Sequence, residues 1–137
     1  MAVFNKFQPF SAALANGVHN LATNQLTVAL TSVAPTAAMG VLADLTQIAY
    51  TGMSTRNITT TSSAQTAGLY RLILADLTLT QTTGTSASFR YVVVFNSTPA
   101  AGNLLGFYDY GVGGLILNTG ESILIDLDQV NGLIQLT

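Results

Sequence analysis

Cysteine is missing from this chain altogether, which removes disulfides, thiolate metal sites and thiol catalysis in one step. Such a composition suits synthesis and assembly in a cytoplasm. Charge is nearly as scarce. Only 7% of the residues are Asp, Glu, Lys or Arg, against the roughly 25% usual in a soluble domain. The basic residues Lys6, Arg56, Arg71 and Arg90 are scattered, and the net charge is -2 with a pI near 4.8. A nucleic-acid binder needs a basic face to displace counterions, so no nucleic-acid partner is expected. Histidine occurs once, as His19. No Ser-His-Asp triad or imidazole metal cluster can be argued from it, and it is expected to cap carbonyls or pack at an edge. The expectation is therefore a protein without catalysis, cofactor or metal. Long apolar runs are absent too. Asn5, Lys6, Gln8, Asn16 and His19 break up the opening segment, and no run approaches the roughly 18 apolar residues of a membrane helix.

What the chain does have is apolar and neutral-polar. Hydrophobic residues make up 49% of its 137 positions, enough for one domain, residues 1–137, with a buried core. Thr, Ser, Asn and Gln stand where Lys and Glu usually stand. Hydroxyls and amides give little charge repulsion, so such a surface resists association poorly. The composition points to a subunit whose surface is covered by partners.

The most informative stretch is Phe89-Arg90-Tyr91-Val92-Val93-Val94-Phe95-Asn96. Its odd and even positions are both apolar in the middle, which predicts a central strand covered on two faces. Leu104 to Tyr110 is expected to return antiparallel after the turn residues at 97–103. Earlier in the chain, Phe10, Ala13, Leu14, Gly17, Val18 and Leu21 form one stripe of a helix expected at about 9–20, with Pro9 in its first turn. Leu26–Thr31 alternates as a strand, while 39–48 fits a helical turn or an edge strand.

Residues 51–67 are mostly Thr, Ser, Gln and Asn and are read as a polar loop or arm, with an irregular edge strand as the alternative. The run 68–80 is long for one strand and is expected to break near Ala75-Asp76. Leu115–Leu117 reads as a short strand and 122–128 as another, with Asn131-Gly132 turning a hairpin into a last strand at 133–136. About eight short strands at this spacing predict an all-β fold, an antiparallel β-sandwich, jelly-roll-like, with one short N-terminal helix.

Candidate sites are few. Asp126, Asp128 and Asn131 lie near one turn, but Val130 occupies a ligand position and no Glu closes a calcium loop. Gly111-Val112-Gly113-Gly114 lacks the lysine and following helix of a phosphate loop. Tyr91, Phe107, Tyr108 and Tyr110 form either a sugar platform or, as preferred, core and interface packing. Arg71 and Arg90 each call for a carboxylate, with Asp76 and Asp109 as the candidates. Arg56, Asn57, Arg90, Tyr108, Asp109 and Tyr110 are the candidate interface residues.

Val18-His19-Asn20-Leu21, Leu26–Thr31, Ala34-Pro35, Val41–Asp44, Tyr70–Asp76, Phe89–Asn96, Gly106–Gly111 and Gly120-Glu121, in this order, resemble small structural proteins of tailed bacteriophage heads, above all capsid decoration or cement proteins. The resemblance implies a virion protein on the capsid surface. It would bind the major capsid protein and copies of itself, as a homotrimer, stabilising the shell by buried area and strand pairing. A phage neck, tail or baseplate component is the alternative within the same class, and a carbohydrate-binding module a further one from another.

Overall fold

The strand read as central in the sequence is central in space. The computed structural model describes residues 2–137. In chain order the elements are β1 (Asn5–Lys6), α1 (Pro9–Ala15), β2 (Leu26–Thr31), β3 (Asn57–Ile58), β4 (Thr60–Thr66) and β5 (Leu69–Leu74). There follow β6 (Leu77–Thr80), β7 (Tyr91–Asn96), β8 (Leu104–Asp109), β9 (Ser122–Ile125) and β10 (Ile134–Leu136). The chain is all-β with one short helix, and every strand pair is antiparallel. The largest sheet has the order β1-β8-β7-β2-β3, placing β7 in its middle.

Every residue of β2 and β7 is buried, and the pairing register explains why. Val28 faces Val94 and Leu30 faces Val92, which sends these four side chains into the main core. Ala29 faces Val93 and Thr27 faces Phe95 on the opposite side. There Phe7, Ala29, Val93, Phe95 and Leu104 form a second, smaller core, roofed by Met39, Leu42, Leu45 and Phe107. Leu42–Asp44 is a 3₁₀ turn, one of the two readings open for 39–48. Asp44 holds it by accepting from the Gly40 and Val41 amides at 2.9 and 3.1 Å.

The second layer has β5 and β6 at its centre. The long run 68–80 breaks at Ala75-Asp76 as expected, and the Asp76 carboxylate there accepts from the Leu127 amide at 2.9 Å. β10 pairs with β5 and β9 with β6. The other flank is β4 beside β5 and the 53–59 segment beside β6, tied by Ala75 to Thr59 and Ser54 to Thr80 backbone bonds. Residues 51–67 are therefore mainly strand: β3 joins the first sheet and β4 edges the second, with an irregular register between Thr60 and Ser62. The polar arm gives way to its alternative, an irregular edge strand. Hydroxyls on a half-exposed pleat are compatible with strand backbone, so polarity alone did not mark a loop.

Three expectations are corrected. The helix ends at Ala15, not near 20. Gly17, at φ +80°, lets the Gly17 amide bond the Leu14 carbonyl and the Val18 amide the Ala13 carbonyl, turning the chain out of the helix while Leu21 still reaches the core. Leu115–Leu117 forms only a single bridge, Leu115 to Phe89, rather than a strand. Asn131-Gly132 turns the chain, but β9 and β10 do not pair; β10 is delivered to β5 instead. Gly132 packs so closely there that a Cβ would lie 2.8 Å from the Leu72 carbonyl oxygen.

Gly106 shows how closely β1 is seated on β8. A Cβ at that position would meet the Phe4 ring at 2.3 Å and the Asn5 carbonyl oxygen at 2.6 Å. The Asn5 atom is backbone and has little freedom to yield. Gly106→Ala is expected to cost about 2 kcal/mol in urea unfolding, within the range for overpacking, with β1 amides losing exchange protection first.

Candidate interaction surface

Arg90 and Asp109 stand side by side across β7 and β8, because the register sets Tyr91 opposite Asp109 and the Tyr110 amide on the Arg90 carbonyl. The guanidinium grips the carboxylate with two bonds, Nε to Oδ1 at 2.7 Å and Nη2 to Oδ2 at 2.8 Å. The Gly111 amide adds a third donor to Oδ1 at 2.9 Å. This is the one ion pair among the described residues. Arg90 beside it, helped by the Gly111 amide, pulls the Asp109 carboxyl down to about 2. A depressed carboxylate contributes stability above its unfolded value near 4, and that contribution is lost as pH falls through about 2. Asp109→Asn is expected to flatten the acid limb of a melting-temperature profile in that window; an unchanged limb would mean the pair does not contribute.

Arg56 is structural rather than free. Its backbone carbonyl accepts from the Val28 amide, and its Nη1 donates to the Val28 carbonyl. The guanidinium lies 3.6 Å from the Tyr50 ring centre. Tyr50 in turn accepts from the Leu30 amide at 2.9 Å and donates to Gln47 at 2.7 Å. Burial pushes the Tyr50 hydroxyl above its usual range, against the opposing pull of the Leu30 amide and Arg56. The arrangement continues the β2–β3 ladder with side-chain groups. Arg56→Met is expected to cost about 2 kcal/mol, since it removes a charge-assisted bond and a cation–π contact. Thermal unfolding checks this, and Arg56→Lys should recover only part of the loss. Asn57 is exposed and accepts from Thr27 Oγ1 at 3.1 Å.

The aromatic residues divide between the two faces of the first sheet. Tyr91 and Phe107 are edge-to-face at 6.3 Å near the smaller core, while Tyr108 packs against Phe4 at 5.3 Å on the main-core side with Tyr110 beside it. They make no single flat platform. Burial raises the Tyr108 and Tyr110 hydroxyls above their ordinary values, so both stay neutral. His19 is buried, its ring against Phe10 and its Nδ1 3.1 Å from Asn96 Nδ2, so it caps no helix carbonyl.

No family model, no curated protein and no solved structure matches this chain. Among the described residues no three His, Asp or Glu side chains gather in a way that could hold a metal ion, and no helix is long and apolar enough to cross a membrane. Asp128 spends its carboxylate on its own turn, accepting from the Val130 and Asn131 amides at 3.2 and 2.9 Å. Large aliphatic side chains stand in solvent at Val112, Val130, Val3 and Leu124, the first of them 93% exposed.

One feature escaped the sequence reading, and a second was read only as an alternative. Arg71 is exposed on the outer face of β5 and has no ion pair, because Asp76 turns to the Leu127 amide instead. The β4 edge, Thr60-Thr61-Ser62-Ser63-Ala64-Gln65-Thr66, carries neither charge nor proline, the residues that usually guard an open edge. The uncharged run from Thr59 to Ala67 was the available signal.

Proposed function

We propose that the chain is a non-enzymatic structural subunit of a virus particle, a capsid decoration or cement protein of a tailed bacteriophage that binds the outside of the shell as a homo-oligomer. The observation that carries this reading is a surface with very few ions and standing aliphatic groups. Four basic and six acidic residues serve the whole chain, and Arg90 and Asp109 neutralise each other. Val3, Val112 and Val130 are each more than two-thirds exposed. Such a surface is stabilised when neighbours cover it, and a subunit held at several points needs only modest individual contacts. Decoration of a preformed lattice supplies that cover without any chemistry.

The test mixes purified protein with source-phage shells that lack it. Saturable binding, extra cryo-electron microscopy density outside the shell and a higher temperature of genome release are expected. Shells that bind none of it, or density confined to the tail, would overturn the proposal.

A further inference from the structure

We infer that copies of this chain join head to tail by strand pairing, the β4 edge of one copy receiving the β9 edge of the next, with Arg71 of the first bound to Asp126 of the second. This rests on the reading of the chain as an assembling subunit and names the contact that assembles it. The argument begins with backbone groups. Ala67 and Gly68 both have positive φ, +51° and +82°, as in the two-residue turn that closes a tight hairpin. In such a hairpin the pair next to the turn exchanges hydrogen bonds, and alternate pairs follow. Thr66–Leu69, Ala64–Arg71 and Ser62–Ile73 are then the bonded pairs. Ser63 and Gln65 consequently turn their N–H and C=O groups outward, and no backbone bond within the chain takes them up.

A second open edge lies on the opposite flank. β9 pairs only with β6, on the side away from Ser54, whose amide bonds the Thr80 carbonyl, and β10 lies on the side of β5 away from β4. The two open edges thus point in opposite directions across one layer. That arrangement suits a heterologous contact, which closes a ring when the rotation allows.

The side chains complement each other as well. Leu69, Arg71 and Ile73 share the outer face of β5, with Ala64 opposite Arg71. Ser122 and Leu124 share the outer face of β9, and Asp126 follows at the same spacing. β4 and β9 both run antiparallel to the β5–β6 run they flank, so a neighbour with the same face outward pairs them parallel. Setting Asp126 opposite Ala64 then puts Leu124 opposite Ser62. Ala64 ends at Cβ, so the Arg71 guanidinium can pass over it to the carboxylate. Leu124, 57% exposed in the single chain, then covers Ile73, the β5 partner of Ser62. The β4 edge brings no charge of its own to oppose this register.

Sedimentation of the purified protein at micromolar to tens of micromolar concentration tests the contact without any shell present. The wild-type chain is expected to sediment as a closed oligomer. Gln65→Pro removes an outward N–H and leaves the β4–β5 ladder intact, giving up only the exposed bond from the Gly68 amide to Gln65 Oε1, so it should give a monomer with a small loss of melting temperature. Arg71→Asp and Asp126→Arg should each weaken assembly by at least about tenfold, and both in one chain should restore it. A monomeric wild type, a Gln65→Pro protein that still assembles, or a double exchange that fails to recover would each overturn the proposal. If Gln65→Pro fails to fold, the charge exchange alone decides. Failure of shell binding with these oligomers intact would count against the decoration reading and leave this contact standing.

Discussion

Replacing Phe7 by alanine is expected to lower the unfolding free energy by about 3–5 kcal/mol, the range for truncating a buried aromatic ring. Phe7 follows β1 and is completely buried, its amide bonded to the Leu105 carbonyl at 3.0 Å. Its ring meets Phe107 at 5.3 Å and fills the smaller core with Ala29, Val93, Phe95 and Leu104. Few side chains line that core, and Ala29 is already small, so the walls have little with which to refill the space. The loss should therefore fall near the top of the range. Val3→Ala is the control: its side chain is 73% exposed, and a change within about 0.5 kcal/mol is expected. Denaturant unfolding of both variants measures the difference. A Phe7→Ala cost below about 1 kcal/mol would mean that the second face of the sheet is loosely covered and not a packed core.

This second core also marks where sequence reasoning stops. That β7 is covered on both faces was legible, because Val92 and Val94 on one parity and Tyr91, Val93 and Phe95 on the other are all apolar. What covers the second face was not. Met39, Leu42 and Leu45 sit in a segment whose shape comes from the Asp44 cap and from a Leu42 amide bond to the Gly102 carbonyl at 2.9 Å. Neither device leaves a period in the sequence. Asn131-Gly132 illustrates the same limit in another form. The dipeptide signals a turn correctly, but a turn signal is local, and the partner of the following strand is chosen by how Gly132 packs on β5. Among the charges, Arg90 and Asp109 could be paired from the antiparallel return of β8. Arg71 could not, since the use of Asp76 depends on a loop more than fifty residues away in sequence. Of the six candidate interface residues, Arg56, Asn57, Arg90 and Asp109 have partners within the chain and Tyr108 is buried.

Asn96→Leu should have the second largest effect, on the order of 3 kcal/mol, because one fully buried amide serves three partners. Its Nδ2 donates to Asn24 Oδ1 at 2.7 Å and to His19 Nδ1 at 3.1 Å, and its Oδ1 accepts from the Thr98 amide at 3.1 Å. Leucine preserves the volume and strands these groups, at roughly 1–3 kcal/mol for each one left dry. The Thr98 bond fixes which end of the amide is oxygen, so Nδ2 faces the imidazole and His19 Nδ1 must accept. His19 is therefore the neutral tautomer with its proton on Nε2, an atom that is buried without a partner. Protonating Nδ1 would set a donor against a donor, and burial independently pushes the His19 pKa below its ordinary 6.5. A base whose folded value is depressed takes up its proton more readily when unfolded. Stability is then complete above 6.5 and declines as pH falls from there toward the folded value. His19→Phe keeps a ring against Phe10 and removes the titration, so its melting temperature should be flatter than wild type in that window. An equally steep decline in His19→Phe would place the acid sensitivity in some other group.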